Sequence, residues 1–212
     1  MRKTGLSSTI APMSIQEPET ARERILRAAG ELFYEHGFHA VGIDLVIERA
    51  GVAKATLYRH FSTKDDLIAA YLDVANTRFF TWFEASIDRT VSPGDALAGL
   101  FDAVGTLVTS PTCLGCTFQM SAAEFPDPSH PGHAVALAHK DAVRGRLRSL
   151  ATAADVSRPD ELADGLLLLM DGAFAAVRMY GPDNPGAHVA AAARTLIGAH
   201  GSRDAIEQNE VE

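Results

Sequence analysis

Apolar residues recur at helical spacing along most of the chain, and no stretch alternates apolar and polar residues with the period of a strand. Ala21, Ile25, Ala28, Ala29, Leu32 and Phe33 form one stripe, and Gly37 follows His36 as a helix-ending glycine. Ile43, Val46, Ile47 and Ala50 share one face of a second, short helix that Gly51 breaks. A third helix begins near residues 52–54 and buries Val52, Leu57 and Phe61. Ser62 then caps a fourth, with Asp65 three residues on as a carboxylate variant of the capping box. That helix runs through Leu67, Ile68, Tyr71, Leu72, Phe79 and Phe83 toward Arg89. The SPGD run at 92–95 stops one helix and starts the next. Further helices are predicted near 94–109, 112–124, 131–154, 159–180 and 186–200, with FPDPSHPG (125–132) as a proline-rich loop.

The predicted class is therefore all-α, with about nine helices in two parts. Residues 1–18 and 201–212 read as flexible tails, 19–66 as a helix-turn-helix head and 67–200 as a larger helical body. The strongest apolar run, Leu166 to Met170, is far short of the ~20 residues a membrane helix needs. The opening residues are too polar for a signal-peptide core, and two cysteines make no disulfide framework. A soluble, cytoplasmic protein with no membrane partner is the expectation.

A net charge of −8 argues at first against a nucleic-acid binder, but the charge is unevenly placed. Residues 1–70 carry nine Lys/Arg and nine Asp/Glu, whereas 71–212 carry ten and eighteen. From Val52 to Lys64 there are three basic residues and no carboxylate. A local basic face on an acidic body can still bind phosphate, and the body's repulsion orients it.

Leu57 and Phe61 turn the third helix inward, which leaves Lys54, Thr56, Tyr58, Arg59 and His60 around the rest of its circumference. All are hydrogen-bond donors suited to phosphate oxygens and base edges, and a short helix fits the major groove. Lys64 opens the fourth helix beside free backbone amides, a further phosphate contact.

The run IDLVIERAGVAKATLYRHFSTKDDL (43–67) closely resembles the DNA-binding signature of the TetR family of repressors, and AAGELFYEHGF (28–38) resembles that family's first helix. The resemblance implies that Thr56, Tyr58, His60 and Lys64 touch phosphates or nearby bases, and that Lys54 and Arg59 read bases. It also implies repression as the usual mode, and a homodimer on a palindromic double-stranded operator whose half-sites lie about 34–36 Å apart or a multiple of it. Gly42 stands where the family has a capping Thr or Ser, and Ala53 and Ala55 replace the common Ser and Gly. These departures bear on which sequence is read.

In the body, Leu162, Leu166, Leu169, Ala173 and Ala176 form a stripe with small residues interleaved, expected at a dimer interface with 186–200. Large apolar residues and a few polar groups are the composition of a ligand pocket: Trp82, Phe83, Phe101, Phe118, Met120, Phe125, Met170 and Phe174, with Glu124 and His139. A small, largely apolar effector that releases DNA is the expected ligand. The segment CLGCTFQMSAAEFPDP (113–128) resembles a common sub-branch of the same regulators.

Two other chemistries are open to this sequence. Cys113-x-x-Cys116 leaves open a redox-sensing regulator or, without the βαβ unit that a thioredoxin-like enzyme needs, a thiol enzyme. Otherwise these are buried structural thiols. His130 and His133 lie in a Pro/Gly stretch without the helical geometry that aims two imidazoles at one ion, and read as a solvated loop. No enzyme activity, cofactor or metal is expected.

Overall fold

The computed structural model describes residues 19–201. The tail expected over 1–18, and all but Gly201 of the one expected over 201–212, lie outside the described residues. Among the described residues every element is helical: α1 (Ala21–His36), α2 (Ile43–Ala50), α3 (Lys54–His60), α4 (Lys64–Ala85), α5 (Pro93–Val108), α6 (Thr117–Glu124), α7 (Pro131–Ala153), α8 (Pro159–Tyr180) and α9 (Val189–Ala199), with a 3₁₀ turn at Pro185–His188 before the last.

The head forms where its sequence carries local stop and start signals. Thr20 caps α1, accepting from the amide of Glu23 while the Glu23 carboxylate accepts from the amide of Thr20 at 2.8 Å. Gly37, at φ 88°, ends α1 and donates to the carbonyl of Phe33. Gly51, at φ 61° and ψ 42°, ends α2 in the left-handed conformation that a residue with a Cβ adopts only at a cost.

The start of α4 is shifted by one residue from expectation. Thr63 is the cap and Asp66 its partner, not Ser62 and Asp65. Phe61 is still anchored to α3, its backbone N–H donating to the carbonyl of Leu57, so the extended cap falls two residues later. The helix ends at Ala85, short of Arg89.

Residues 112–116 are not helical, although a helix was expected over 112–124. The Tyr34 hydroxyl accepts from the amide of Leu114 at 2.8 Å and donates to the carbonyl of Gly115 at 3.1 Å. A long-range side chain thus takes the backbone groups that a helical turn would have paired. Similarly, the helix expected from 186 begins as the 3₁₀ turn, held by the Asn184 side chain.

Two apolar cores result. One joins Phe83, Phe101, Leu147, Leu166 and Phe174 across α4, α5, α7 and α8. The other is the core of the head, centred on Ile25, Phe33, Val46 and Leu57. The head's core does not stop at residue 66: Leu67, Ile68 and Leu72 of α4 belong to it, and so do Phe118, Phe125 and Ala136 from α6, its exit and α7. The expected boundary at 66/67 cuts α4 in its first turn.

Candidate DNA-reading face and cavity

On α3, Leu57 is fully buried and holds the helix on the head, while Lys54, Ala55, Tyr58, Arg59 and His60 are exposed and Thr56 is half-buried. Tyr58, 44% exposed, is a large aromatic residue turned outward, which an ordinary core tyrosine is not. Ala53 caps the helix without a side-chain hydrogen bond, and Gly42 caps α2 in the same way. Lys54 donates to the Asp44 carboxylate at 3.2 Å, and this bond raises its pKa. Its ammonium therefore has a partner within the head. Lys64 is half-buried, and burial lowers its pKa against the opposing pull of Glu124 and Asp65. The amides beside it are less free than expected, because the Thr63 hydroxyl accepts from the amide of Asp66.

Between head and body lies a cavity of about 1090 Å³. One wall is α1, through Glu23, Leu26, Arg27, Gly30, Glu31 and Tyr34, a set at i, i+3, i+4, i+7, i+8, i+11. A second is α4, through Tyr71, Val74, Ala75, Arg78 and Phe79. The segment 113–117, Leu107 of α5, Phe118 of α6, α7 and α8 close the rest, with Cys113, Cys116, His139, Lys140, Met170 and Phe174 among the lining residues.

Of the residues expected in a pocket, Phe118, His139, Met170 and Phe174 line this cavity. Phe83 and Phe101 instead fill the body's core at 0% exposure, Trp82 packs on that core, and Phe125 belongs to the head's core, stacked on His130 at 3.9 Å. Met120 meets Arg178, its sulfur accepting at 3.2 Å. Glu124 has a different task. Its carboxylate accepts from the amides of Phe38 at 3.0 Å and His39 at 2.6 Å, fastening α6 to the turn after α1.

Tyr34, Tyr71, Thr117 and Lys140 line the cavity without having been expected there. The second face of α1, with Leu26, Gly30 and Tyr34 four residues apart, was the signal available. Burial pushes the Tyr34 phenol up to about 12 and raises Tyr71, whose hydroxyl pairs with that of Thr117 at 3.1 Å. Burial, with the neighbouring Lys140 charge, lowers His139 to about 3. Its Nδ1 bonds Asn76 Oδ1 at 2.8 Å, and its ring stacks on Phe118 at 3.6 Å with 9° between planes.

The stripe expected between subunits lies inside the protomer. Leu162 and Leu166 are 0% exposed, and Ala173 and Ala176 are buried as well, against α5, α7 and α9. Leu169 is half-buried. A helix apolar on most sides has a second face, and here the outward one carries Leu168, Gly172, Ala175 and Met179. Leu168 is 73% and Met179 77% exposed.

Cys113 is buried, Cys116 is half-buried, and both are free thiols. The two histidines of 130–133 are not in a solvated loop as expected. His130 caps α7, accepting from the amide of Gly132 at 3.1 Å, and His133 sits in the first turn with Nδ1 2.7 Å from the Phe125 carbonyl. Among the described residues no group of three or more His, Cys, Asp or Glu side chains is placed to hold a metal, and no helix is long and apolar enough to cross a membrane.

A helix-turn-helix head seated on a helical body is the architecture of a DNA-binding transcriptional regulator. Residues 25–71 match the family described as bacterial regulatory proteins, tetR family. Over 51 residues the chain is 49% identical to the transcriptional activator FasR of Mycolicibacterium smegmatis, covering 24% of this chain and 23% of that one. Over 92 residues it is 28% identical to the repressor KstR2 of the same species, covering 43% and 45%. These two matches thus span less than half the length of either relative. A fuller match is SCO4454, a TetR-family transcriptional regulator from Streptomyces coelicolor: 33% identity, 85% of this chain and 95% of that one, TM-score 0.80. A putative TetR regulator from Streptomyces avermitilis is 32% identical, with a TM-score of 0.76 over 85% and 98% of the two chains. The chain belongs to the TetR family of transcriptional regulators.

Proposed function

We propose that the chain acts as a homodimer on a palindromic operator and is released from it by a small, largely apolar effector bound in the cavity. The observation that carries this reading is that α1 and α4 of the head wall the same cavity as α7 and α8 of the body. An occupant then acts on the head directly. To release DNA it must favour the DNA-incompetent state, by about 1–3 kcal/mol for a useful switch.

In this reading Thr56, Tyr58, His60 and Lys64 contact phosphates or nearby bases, Lys54 and Arg59 read bases, and Gly42, Ala53 and Ala55 shape what is read. The outward face of α8, with the small exposed residues Ala191, Ala192 and Gly198 of α9, supplies the dimer contact. Cys113 and Cys116 both lie on the cavity wall, which keeps a thiol-based response of the same regulator as the second reading.

The test is selection of genomic fragments by the purified protein at near-physiological salt, with Tyr58→Ala, Lys64→Ala and Leu168→Arg alongside. One palindromic motif is expected, lost in all three, with Leu168→Arg sedimenting as a monomer. Enrichment indifferent to Tyr58 and Lys64 would refute the DNA face. A dimeric Leu168→Arg would refute the interface.

A further inference from the structure

The cavity wall is apolar except for a few polar side chains, and most of these already have partners. Tyr34 is bonded to Leu114 and Gly115, Tyr71 and Thr117 to each other, and Lys140 to Asp171. Arg27 is paired with Glu19 and Glu31, and Arg78 lines the wall from the exposed side of α4. His139 differs. It is 3% exposed and lines the cavity, and Asn76 Oδ1 accepts from its Nδ1, leaving Nε2 as a bare acceptor. Among the described residues no hydrogen-bond partner meets Nε2, yet no side-chain nitrogen or oxygen is both sealed from solvent and unpaired. The nitrogen therefore opens on the cavity.

The ring is held firmly in that position. Phe118 stacks on one face, while Phe79 meets it edge-on at 4.7 Å and Phe80 lies 5.6 Å away. With Nδ1 also fixed, the imidazole can neither turn Nε2 toward another protein group nor flip it into water. Burial among these rings keeps it uncharged at neutral pH, so it is an acceptor and not a cation. Lys140, the nearest cation, is already neutralised by Asp171.

Resting on the reading of the cavity as an effector site, we infer that His139 Nε2 is its polar anchor. The effector class it selects is a neutral, mostly apolar molecule that presents one hydroxyl or N–H donor. Beside Nε2 the nearest cation, Lys140, is taken by Asp171, so a carboxylate there would set its lone pairs against those of Nε2, with Arg78 at the exposed side of α4 as the only wall cation without a partner among the described residues. A hydrocarbon without a donor fits the apolar wall but leaves Nε2 without the water or solvent contact it had.

Isothermal titration of the full-length protein at neutral pH tests this with three probes: 2-naphthol, 2-methoxynaphthalene and 2-naphthoate. The wild-type protein should bind the naphthol about tenfold more tightly than its methyl ether, the worth of one net hydrogen bond, and the naphthoate weakest. In His139→Phe, which keeps the stacking on Phe118, the preference should vanish while the ether's affinity is retained. The wild-type imidazole also reports directly: long-range proton–nitrogen spectra should show an unprotonated Nε2 whose resonance moves on adding the naphthol and not on adding the ether. No hydroxyl preference, or one that survives in His139→Phe, would overturn the assignment of His139 alone. Tightest binding by the naphthoate would overturn the neutral class. Failure of all three probes to bind the wild-type protein would overturn the anchor together with the reading of the cavity as an effector site.

Discussion

The buried imidazole makes the protein's stability depend on pH with a sign that can be worked out. His139 titrates near 6.5 when unfolded and at about 3 when folded, because burial among Phe79, Phe80 and Phe118 and the nearby Lys140 charge disfavour the cation. A lowered folded pKa means that the unfolded chain binds the proton first. The contribution is fully present above 6.5 and is lost as the pH falls toward 3. At 1.36 kcal/mol per unit, lowering the pH from 7 to 5 removes about 2 kcal/mol through this one group. For a domain of this size that is roughly 4–8 °C in melting temperature. The assay is urea or thermal unfolding at pH 7 and pH 5, with His139→Phe as the reference that lacks the titrating group but retains the stack. The other histidines are common to both proteins, so the difference of the two pH slopes isolates His139. Equal slopes would refute the claim that this imidazole is buried and neutral.

Two glycines and one carboxylate give further tests at the head. Gly51→Ala should cost about 1–2 kcal/mol, the left-handed penalty alone, because a Cβ there meets nothing within 4 Å. Gly37→Ala should cost distinctly more, since its Cβ would come to 2.7 Å from Glu124 Oε1 as well; equal losses on thermal unfolding would contradict the packing described. Glu124→Ala leaves the amides of Phe38 and His39 without their acceptor, and about 2–3 kcal/mol should be lost. Hydrogen exchange at those two amides should accelerate, and unchanged protection would show that the carboxylate does not hold the turn.

The head was legible because its signals are local. Gly37 and Gly51 end helices through their own backbone conformations, and Leu57 fixes which side of α3 is left outside. Even the misplaced cap of α4 is a near-degeneracy: Ser62 with Asp65 and Thr63 with Asp66 offer the same chemistry one residue apart, and the burial of Phe61 decides between them. The body was harder to read because its answers are non-local. Residues 113–116 carry nothing that forbids a helix more strongly than other glycine-containing stretches, and it is Tyr34, about eighty positions away in sequence, that takes their backbone groups. Phe83 and Phe118 are alike by type, yet one fills a core and the other faces a void. A void is a property of the assembly of helices, so composition named pocket residues only where they happened to face it. The orientation of the α8 stripe is hidden for a related reason. Apolar residues lie all round that helix, and periodicity does not say which side meets its own subunit.

The same non-local contacts bear on how a signal would leave the cavity. The resemblance alone directs attention to α4, whose first turn carries Lys64 into the head. The contacts add a second lever in α1. Segment 113–117 both lines the cavity and holds the Tyr34 hydroxyl, and Arg178 of α8 donates to the Tyr34 carbonyl at 2.8 Å. Glu124 holds the turn that follows α1. Three body elements therefore grip the C-terminal end of α1 at points next to the cavity, while α2 packs against α1 and α3 packs against both. An occupant that displaces segment 113–117 must either stretch the Tyr34 bonds or carry α1 with it. A packed head is not continuously deformable, so moving α1 reorients α3 as part of one body. On the proposed reading, α4 would set where the head sits, and α1 would be where an occupant of the cavity pushes.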